Sequence, residues 1–255
     1  MRHQAEKKKV MFFYENNWAL VVPLANEEPD FAPLLSAVTD VLDKLKCGTV
    51  YFVVDHVSVD STLQLCHAAA ANDSRFNTVW APDNKNIADA YLRGLREAFE
   101  RGHRLIIEMD AGLSHDPNAI PMFLRVLNEG NECALGSRYI NGGSNVGSPL
   151  KRRFFSKVGT ILARALLGAR LKDMTSGYQG YHAEIVEKLL KARIHSTNHF
   201  YQTELRYLLR NRRIMEVPIH YRAPSPRVSR RAIANSLKVL GIYVFKRLTF
   251  SAPAI

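Results

Sequence analysis

The chain has 255 residues, of which 47% are hydrophobic and 23% are charged. This composition is typical of a globular protein with a buried core, and it excludes collagen-like, low-complexity and disordered classes. Its apolar runs are strand-sized, well short of the roughly 18 residues that span a bilayer, and Cys47, Cys66 and Cys133 lack Cys-x-x-Cys spacing. We therefore expect a cytoplasmic protein with reduced thiols.

In chain order, the first half alternates strand and helix patterns. Apolar, β-rich runs mark strands at 18–23, 49–55, 76–80, 104–110 and 132–136, and helical spacing marks helices at 29–45, 61–71, 87–99 and 118–127. Strands that alternate with helices of this length indicate βαβ units and a mainly parallel sheet with right-handed crossovers. The predicted fold class is therefore α/β.

The second half is less regular. A Gly/Ser/Asn/Pro loop at 141–149 precedes helix patterns at 152–167, 183–190, 201–210 and 233–248, and a strand pattern at 214–221 whose Pro218 suggests a sheet edge. In the last helix Leu237, Leu240, Val244 and Leu248 share one face among basic residues. Such a helix either lies on a membrane surface or packs on its own sheet. We expect a disordered basic tail at 1–17 that is not a signal peptide, one domain at 18–232 and a C-terminal amphipathic helix at 233–255.

The net charge of +11 is distributed unevenly. Residues 136–255 hold 22 Lys and Arg against 5 Asp and Glu, a net of +17, whereas residues 1–135 have a net of −6. Such asymmetry points to an anionic partner for the basic half, either a phosphate-bearing substrate, an anionic membrane surface or nucleic acid. The plain alternative is a solvated basic face without a partner.

Three predicted strands end in an acidic residue. Glu27 follows the first strand, Asp55 ends the second, and Asp110 ends the run Leu105-Ile106-Ile107-Glu108-Met109. Because ligands of open α/β sheets bind outside the carboxyl ends of the strands, these acids are expected to converge on one site. An acid alone in this position is often only a helix cap, but three together suit a nucleotide-sugar site.

Six motifs in the same order resemble the family 2 glycosyltransferases of GT-A fold, most nearly the type that transfers mannose to dolichyl or polyprenyl phosphate. The resemblance covers roughly residues 18–232. It implies a Rossmann-like, mainly parallel sheet with flanking helices and a basic C-terminal helical acceptor region. Its motifs are Val22-Pro23 with Asn26-Glu27, Val54-Asp55 with Asp60-Ser61-Thr62, Ala90 with Gly94, Met109-Asp110-Ala111 with Ser114-His115, Gly136-Ser137-Arg138-Tyr139, and Asp173-Met174-Thr175-Ser176-Gly177-Tyr178.

The resemblance assigns roles to individual residues. Pro23, Glu27 and Asp55 would bind the donor nucleotide, and Asp110 its diphosphate. Arg138, Arg152 and Ser156 would bind the acceptor phosphate; Arg152 and Ser156 stand at i and i+4, on one helix face. Otherwise Arg152 is a solvated surface arginine. The segment that closes over the donor departs from the family pattern at 224–230, where Arg227 or Arg230 would supply the charge of a lid.

The family's Asp-x-Asp metal motif is incomplete, because Gly112 replaces its second acid. Asp110 and His115 remain as ligands, although Mg²⁺ prefers oxygen. We expect Mg²⁺ or Mn²⁺ to be bound weakly, in a shell that the donor diphosphate and water complete.

The expected reaction is a single inverting displacement that moves a sugar from a GDP- or UDP-sugar to a polyprenyl phosphate, peripherally at the cytoplasmic membrane face. Besides Asp110 and Arg138, the candidates for catalytic residues are Asp173 and Glu204, each of which is otherwise structural. A hydroxyl acceptor would need one of them as a base, whereas an ionised phosphate would not. The alternatives are transfer to another acceptor, such as a modified base in DNA, and a non-catalytic nucleotide-binding protein.

Overall fold

The computed structural model describes residues 17–145, 150–222, 230–249, 251 and 254–255, with the backbone alone for 150–155 and 230. Within these ranges its strands and helices follow one another as β1 (Trp18–Leu24), α1 (Glu28–Leu45), β2 (Thr49–Val54), α2 (Thr62–Asn72), β3 (Phe76–Trp80), α3 (Ile87–Glu100), β4 (Leu105–Glu108), α4 (Ile120–Asn128), β5 (Cys133–Ser137), α5 (Leu150–Leu167), β6 (Gln179–His182), α6 (Ala183–Lys191), α7 (Phe200–Leu208), β7 (Ile214–Pro218) and α8 (Arg230–Leu248). The tail predicted for residues 1–17 lies outside the described residues except for Asn17.

The described strands form one sheet in the order β3-β2-β1-β4-β6-β5-β7. All pairs are parallel except those of β6, which runs antiparallel to β4 and to β5. The predicted α/β class and mainly parallel sheet are therefore confirmed. Pro218 lies in β7 at the sheet edge, as its missing N–H predicted.

Alternation along the strands divides the core between the two faces of the sheet. On β1, Leu20 and Val22 face α1 and α4, whereas Ala19 and Val21 face α3 and α7. Along the central strands β1, β2 and β4 nearly every residue on both faces is buried, which explains why these strands read as continuous apolar runs. Because β1 is parallel to both β2 and β4, the carboxyl ends of these three strands lie at one edge of the sheet, and the loops that follow them build the site.

Strand β6 was not predicted from the sequence. It has only four residues, with Gly180 in the middle, and such a short run carries no alternating pattern. Its Gly180 packs closely on Ile107, Phe123 and Leu127, where a side chain would crowd the core. The predicted strand at 214–221 is also shorter in the structure, ending at Pro218.

Helix α8 begins three residues before the predicted helix and packs on α5 and α7 rather than on the sheet. Its buried residues are Val239, Leu240 and Tyr243, whereas Leu237 and Leu248 are exposed. The buried face is thus rotated by about one residue, roughly 100°, from the face that the sequence suggested. No described helix has both the length and the apolar character needed to cross a membrane.

Candidate active site

The loops after β1 and β2 are joined by hydrogen bonds between their backbones and polar side chains. The Glu27 N–H donates to Thr62 Oγ1 (2.8 Å), and the Glu28 N–H donates to Asp60 Oδ2 (3.0 Å). Asn26, with φ of 57°, accepts from the Val59 N–H at 2.9 Å. Because both loops are held through these backbone N–H groups, Glu27 lies beside the end of β4 while its carboxylate accepts no hydrogen bond from the described residues.

Glu27, Asp55 and Asp110, which we call the acidic strand ends, lie at the same edge of the sheet. Glu27 is half-buried; burial and the nearby Asp30, Asp60 and Asp110 raise its pKa to about 6. Asp55 is nearly buried and accepts from the N–H of Val57 at 3.0 Å. The convergence of acids predicted from the strand pattern is present for Glu27 and Asp110.

Pro23 is buried inside β1, where a residue without an N–H is unusual. The pairing explains it: β4 ends at Glu108, opposite Val21, and Met109 N–H donates to Val21 O. Two residues further along, Pro23 has no β4 partner on that side. Its assignment to nucleotide binding remains a prediction.

Asp110 is held from three sides. The Tyr91 hydroxyl donates to Asp110 Oδ1. Gly177 approaches so closely that a Cβ there would lie 2.6 Å from the same oxygen. The other oxygen, Oδ2, lies 3.6 Å from His115 Nδ1, and the side chain remains 30% exposed. One oxygen of Asp110 is therefore fixed by the protein while the other faces His115.

His115 is fully buried, yet neither ring nitrogen forms a hydrogen bond with any residue in the described part of the chain. The rings of Tyr178 and Tyr221 pack against it at centroid distances of 5.2 and 5.3 Å. Burial lowers the pKa of His115 below its usual range, so the ring is neutral near pH 7. A neutral imidazole with unpaired nitrogens is the form that binds a metal or a polar ligand.

Glu108 lies two residues before Asp110 but points into the core. It accepts from Gln179 Nε2 (2.7 Å), from the Tyr181 hydroxyl (3.1 Å) and from the Tyr201 hydroxyl (3.4 Å). Burial raises the pKa of Glu108 to about 8, so it is protonated at neutral pH. Its role is to anchor this part of the core beneath Asp110.

A second group, the Arg138 cluster, comprises Arg138, Ser156, Asp173 and Thr175. The Arg138 side chain donates from Nε and Nη2 to Asp173 (2.7 and 2.9 Å), and from Nη2 to Thr175 (2.5 Å) and to Ser156 (3.1 Å). Nη1 makes no hydrogen bond within the described residues. The cluster brings together Arg138 and Ser156, as the predicted acceptor-phosphate site requires.

Asp173 is paired rather than free. Burial raises its pKa, but the Arg138 guanidinium outweighs burial and lowers that pKa to about 2. The fully buried Arg206 supports the same loop by donating to the carbonyls of Asp173, Gly136 and Ser176. Asp173 therefore holds Arg138 in place and does not accept protons near pH 7, which is the structural alternative that the sequence left open.

Glu204 also takes the structural alternative. Its buried carboxylate accepts from the N–H groups of His195 (2.8 Å) and Ser196 (2.7 Å) and from the Tyr243 hydroxyl (2.6 Å). These bonds join α7 to the loop before it and to α8. The side chains of Arg152, Arg227 and Arg230 lie outside the described residues, so their predicted roles remain predictions.

Sequence reasoning missed three residues that shape the site: Tyr91, Arg206 and Tyr221. Tyr91 and Arg206 sit within helices, where they carry no signal beyond helical spacing. Tyr221 follows the edge strand, and its ring lies between His115 and the Arg138 guanidinium, which is 5.5 Å from the ring centroid. Only the neighbouring Ala90 and Gly94 marked α3 as part of a motif.

The mainly parallel sheet, with acidic strand ends at one edge, defines the class of GT-A glycosyltransferase folds. Residues 19–190 match the family model for glycosyl transferase family 2, and the chain belongs to that family. It is 30% identical over 220 residues to a polyprenol monophosphomannose synthase of Mycolicibacterium smegmatis, covering 85% of this chain and 81% of that protein. It is 29% identical over 203 residues to an undecaprenyl-phosphate mannosyltransferase of Micrococcus luteus, covering 79% and 82%.

Solved structures support the fold. The glucosyl-3-phosphoglycerate synthase of Mycobacterium tuberculosis, solved with Mn²⁺, UDP and glucosyl-3-phosphoglycerate, matches with a TM-score of 0.61 and 17% identity. The match covers 94% of this chain and 81% of that one. At this identity the likeness establishes architecture only.

The residues at the Asp110 edge suit a divalent cation only in part. No three His, Cys, Asp or Glu side chains among the described residues converge as a complete metal cluster. Asp110 offers one oxygen, and His115 offers an unpaired neutral nitrogen 3.6 Å away. This set fits a cation whose remaining positions are filled by phosphate oxygens and water.

Proposed function

We propose that this protein transfers a hexose from a nucleotide-sugar to a polyprenyl phosphate at an anionic membrane surface, with inversion at the anomeric carbon. The observation that carries the proposal is the contact between the two parts of the site. The loop at 173–178 contributes Asp173 and Thr175 to the Arg138 cluster and touches Asp110 through Gly177. This contact supports an arrangement in which a phosphate at Arg138 lies next to a donor at Asp110.

The names of two relatives support a polyprenyl phosphate as the acceptor: one is a polyprenol monophosphomannose synthase and the other an undecaprenyl-phosphate mannosyltransferase. Nε and Nη2 of the Arg138 guanidinium are used within the cluster, whereas Nη1, which makes no hydrogen bond among the described residues, remains to donate to a phosphate oxygen. The hydroxyls of Ser156 and Thr175 are hydrogen-bonded to each other at 2.8 Å, so at most one of their protons is left to donate to a phosphate beside Arg138.

In the proposed reaction an acceptor phosphate oxygen forms a bond to the anomeric carbon as the bond from that carbon to the donor diphosphate breaks. The electron pair leaves with the nucleoside diphosphate. No residue needs to remove a proton, since a phosphate monoester is largely ionised at pH 7, with a second pKa of about 6. Arg138 orients the nucleophile, and Asp110 would position the donor diphosphate by holding the cation that offsets its charge.

A divalent cation, when bound, would offset the charge of the departing diphosphate. Asp110 and His115 are the residues that would hold it. The use of Mn²⁺ with UDP in a structural neighbour supports a cation, without deciding between Mg²⁺ and Mn²⁺ or between a GDP- and a UDP-sugar.

The test is a transfer assay with GDP-mannose, UDP-glucose and related donors, Mg²⁺ or Mn²⁺, and a short polyprenyl phosphate, read by mass spectrometry of the lipid. We expect a lipid-linked hexose from one donor and at least about 10²-fold less from the Asp110→Asn variant. Absence of a lipid product with every donor, or equal product from the variant, would refute the proposal.

The membrane part of the proposal rests on α5 and α8, which pack together. The two helices expose large apolar side chains between basic ones: Ile161, Leu162, Leu166, Ile233, Leu237, Phe245 and Leu248. An apolar surface with cationic neighbours matches an anionic bilayer. The net positive charge of residues 136–255 would then serve to bind anionic lipid head groups at this surface.

Vesicle flotation separates a membrane from DNA as the anionic partner. We expect binding to vesicles with anionic lipid, weakened by Phe245→Glu, whereas Met215→Glu on the edge strand leaves it unchanged. Preference for duplex DNA over such vesicles would favour the alternative acceptor, and equal effects of the two substitutions would show that binding does not use this helix surface.

A further inference from the structure

The surroundings of Gly112 indicate which residue takes the place of the missing acid of the Asp-x-Asp motif. Gly112 has a φ of +73°, and a Cβ built there would lie 3.4 Å from Glu27 Oε2. The next residue, Leu113, also has a positive φ, of 55°. The loop after β4 therefore turns so that residue 112 faces Glu27, and the carboxylate of Glu27 borders the space that a side chain at 112 would enter.

The Glu27 carboxylate has no protein partner that explains this position. It precedes α1 yet does not cap the helix with its side chain, and it accepts no hydrogen bond from the described residues. The charges that act on it are those of Asp30, Asp60 and Asp110, which are all negative. A half-buried acid surrounded by acids is unfavourable by itself, and a bound cation would reverse that balance.

His115 gives an independent indication of a ligand here. It is fully buried, both ring nitrogens lack hydrogen-bond partners, and Nδ1 faces Asp110 Oδ2. Two acids and an unpaired imidazole thus border one region, although they do not close into a complete metal cluster.

We propose that Glu27 supplies the second carboxylate for the cation–diphosphate complex, in place of the side chain absent at position 112. This inference rests on the proposed function for the presence of a donor diphosphate. The sequence assigned Glu27 to the donor nucleotide as a whole, whereas this inference assigns it to the cation and diphosphate rather than to the nucleoside. The two roles can be distinguished by binding: loss of a cation ligand weakens binding of any metal–diphosphate complex, whereas loss of a nucleoside contact weakens only binding of a nucleotide.

The test is Mn²⁺ binding in the presence of inorganic diphosphate, measured from the free Mn²⁺ signal in electron paramagnetic resonance. Glu27→Gln is expected to weaken Mn²⁺ binding by about tenfold or more, as loss of metal-site residues typically does. The matched control is Glu28→Gln, which removes the same charge from the adjacent, exposed residue and should stay within about twofold because exposed charges are screened.

Three results would overturn the inference. The first is equal Mn²⁺ affinity in Glu27→Gln and Glu28→Gln. The second is weakened UDP binding in Glu27→Gln with Mn²⁺–diphosphate binding intact, which would assign Glu27 to the nucleoside. The third is no Mn²⁺ binding with diphosphate in the unmodified protein. None of these depends on product formation, so failure of the transfer assay is a separate outcome; thermal unfolding of both variants checks that they fold.

Discussion

The acidic strand ends and the Arg138 cluster lie on either side of Gly177, but the protein neutralises the carboxylate charge in only one of these two regions. In the Arg138 cluster the carboxylate of Asp173 is fully buried, paired and bonded, so its charge is neutralised by the protein itself. At the strand ends Glu27 and Asp110 repel each other, and His115 has unpaired nitrogens. The charges of the Arg138 cluster are balanced in the folded protein itself, whereas those of the acidic strand ends would be balanced by a bound cation. Substitutions should therefore affect stability on one side and ligand binding on the other.

The largest effect is expected from Arg138→Met. It leaves the buried Asp173 without its main partner, and the free energy of unfolding should fall by about 3 kcal/mol or more. Urea denaturation measures this, with Arg93→Met on the exposed face of α3 as the control, where a change within about 0.5 kcal/mol is expected. A loss of stability in Arg138→Met no larger than in the control would show that the cluster is not held by this pair.

Asp110→Asn tests the acidic strand ends. The Tyr91 hydroxyl still finds an oxygen at residue 110, and repulsion with Glu27 is removed, so the midpoint of thermal unfolding should stay constant or rise. Transfer should nevertheless fall by about 10²- to 10³-fold, the usual cost of losing electrostatic support in a transition state. A marked drop in the midpoint would remove the distinction between the two regions.

The pH dependence of stability sharpens the comparison at Glu108. Its pKa is about 8 in the folded protein and near the ordinary 4.5 when unfolded, so between these values only the folded state keeps the proton. This group therefore stabilises the fold less as pH rises, by up to roughly 1.4 kcal/mol per pH unit. Urea denaturation between pH 5 and 8 should show a flatter dependence in Glu108→Gln than in the unmodified protein. Parallel curves would contradict the assignment.

Tyr91→Phe should have the smallest effect. It removes the hydroxyl that donates to Asp110 Oδ1 but keeps the ring stacked on that of Tyr201, with the ring centroids 5.4 Å apart. The loss of one hydrogen bond, about 1 kcal/mol, corresponds to roughly fivefold weaker Mn²⁺–diphosphate binding. Tyr181→Phe, whose hydroxyl bonds Glu108 instead, is the matched control. Equal weakening in both variants would point to a general loosening of the core.

The sequence predicted the features that depend on local pattern. Continuous apolar runs identified the strands of the first half, and the acids after them marked the ligand edge. Through the family resemblance it also assigned Arg138 and Ser156, together with Arg152, to one acceptor-phosphate group, and in the structure the side chains of Arg138 and Ser156 are in contact.

Features that depend on long-range packing were not predicted. The bond from Tyr91 to Asp110 joins a helix to a strand end, and nothing in the spacing of α3 distinguishes that tyrosine from a core residue. The buried face of α8 was misplaced because its partners, α5 and α7, are themselves helices of the irregular half. Asp173 and Glu204 carry the same kind of side chain as a catalytic acid, and only their partners show that they are structural.

The antiparallel direction of β6 has a consequence for how such a protein can diverge. Because β6 runs against β4, its first residue rather than its last lies at the ligand edge, with Gln179 paired to Glu108. The spacing between the two halves of the site is thus set by strand register, which changes only in steps of about 3.3 Å and turns every side chain to the opposite face. Substitutions in the loops on either side would therefore alter the two parts of the site without changing the distance between them.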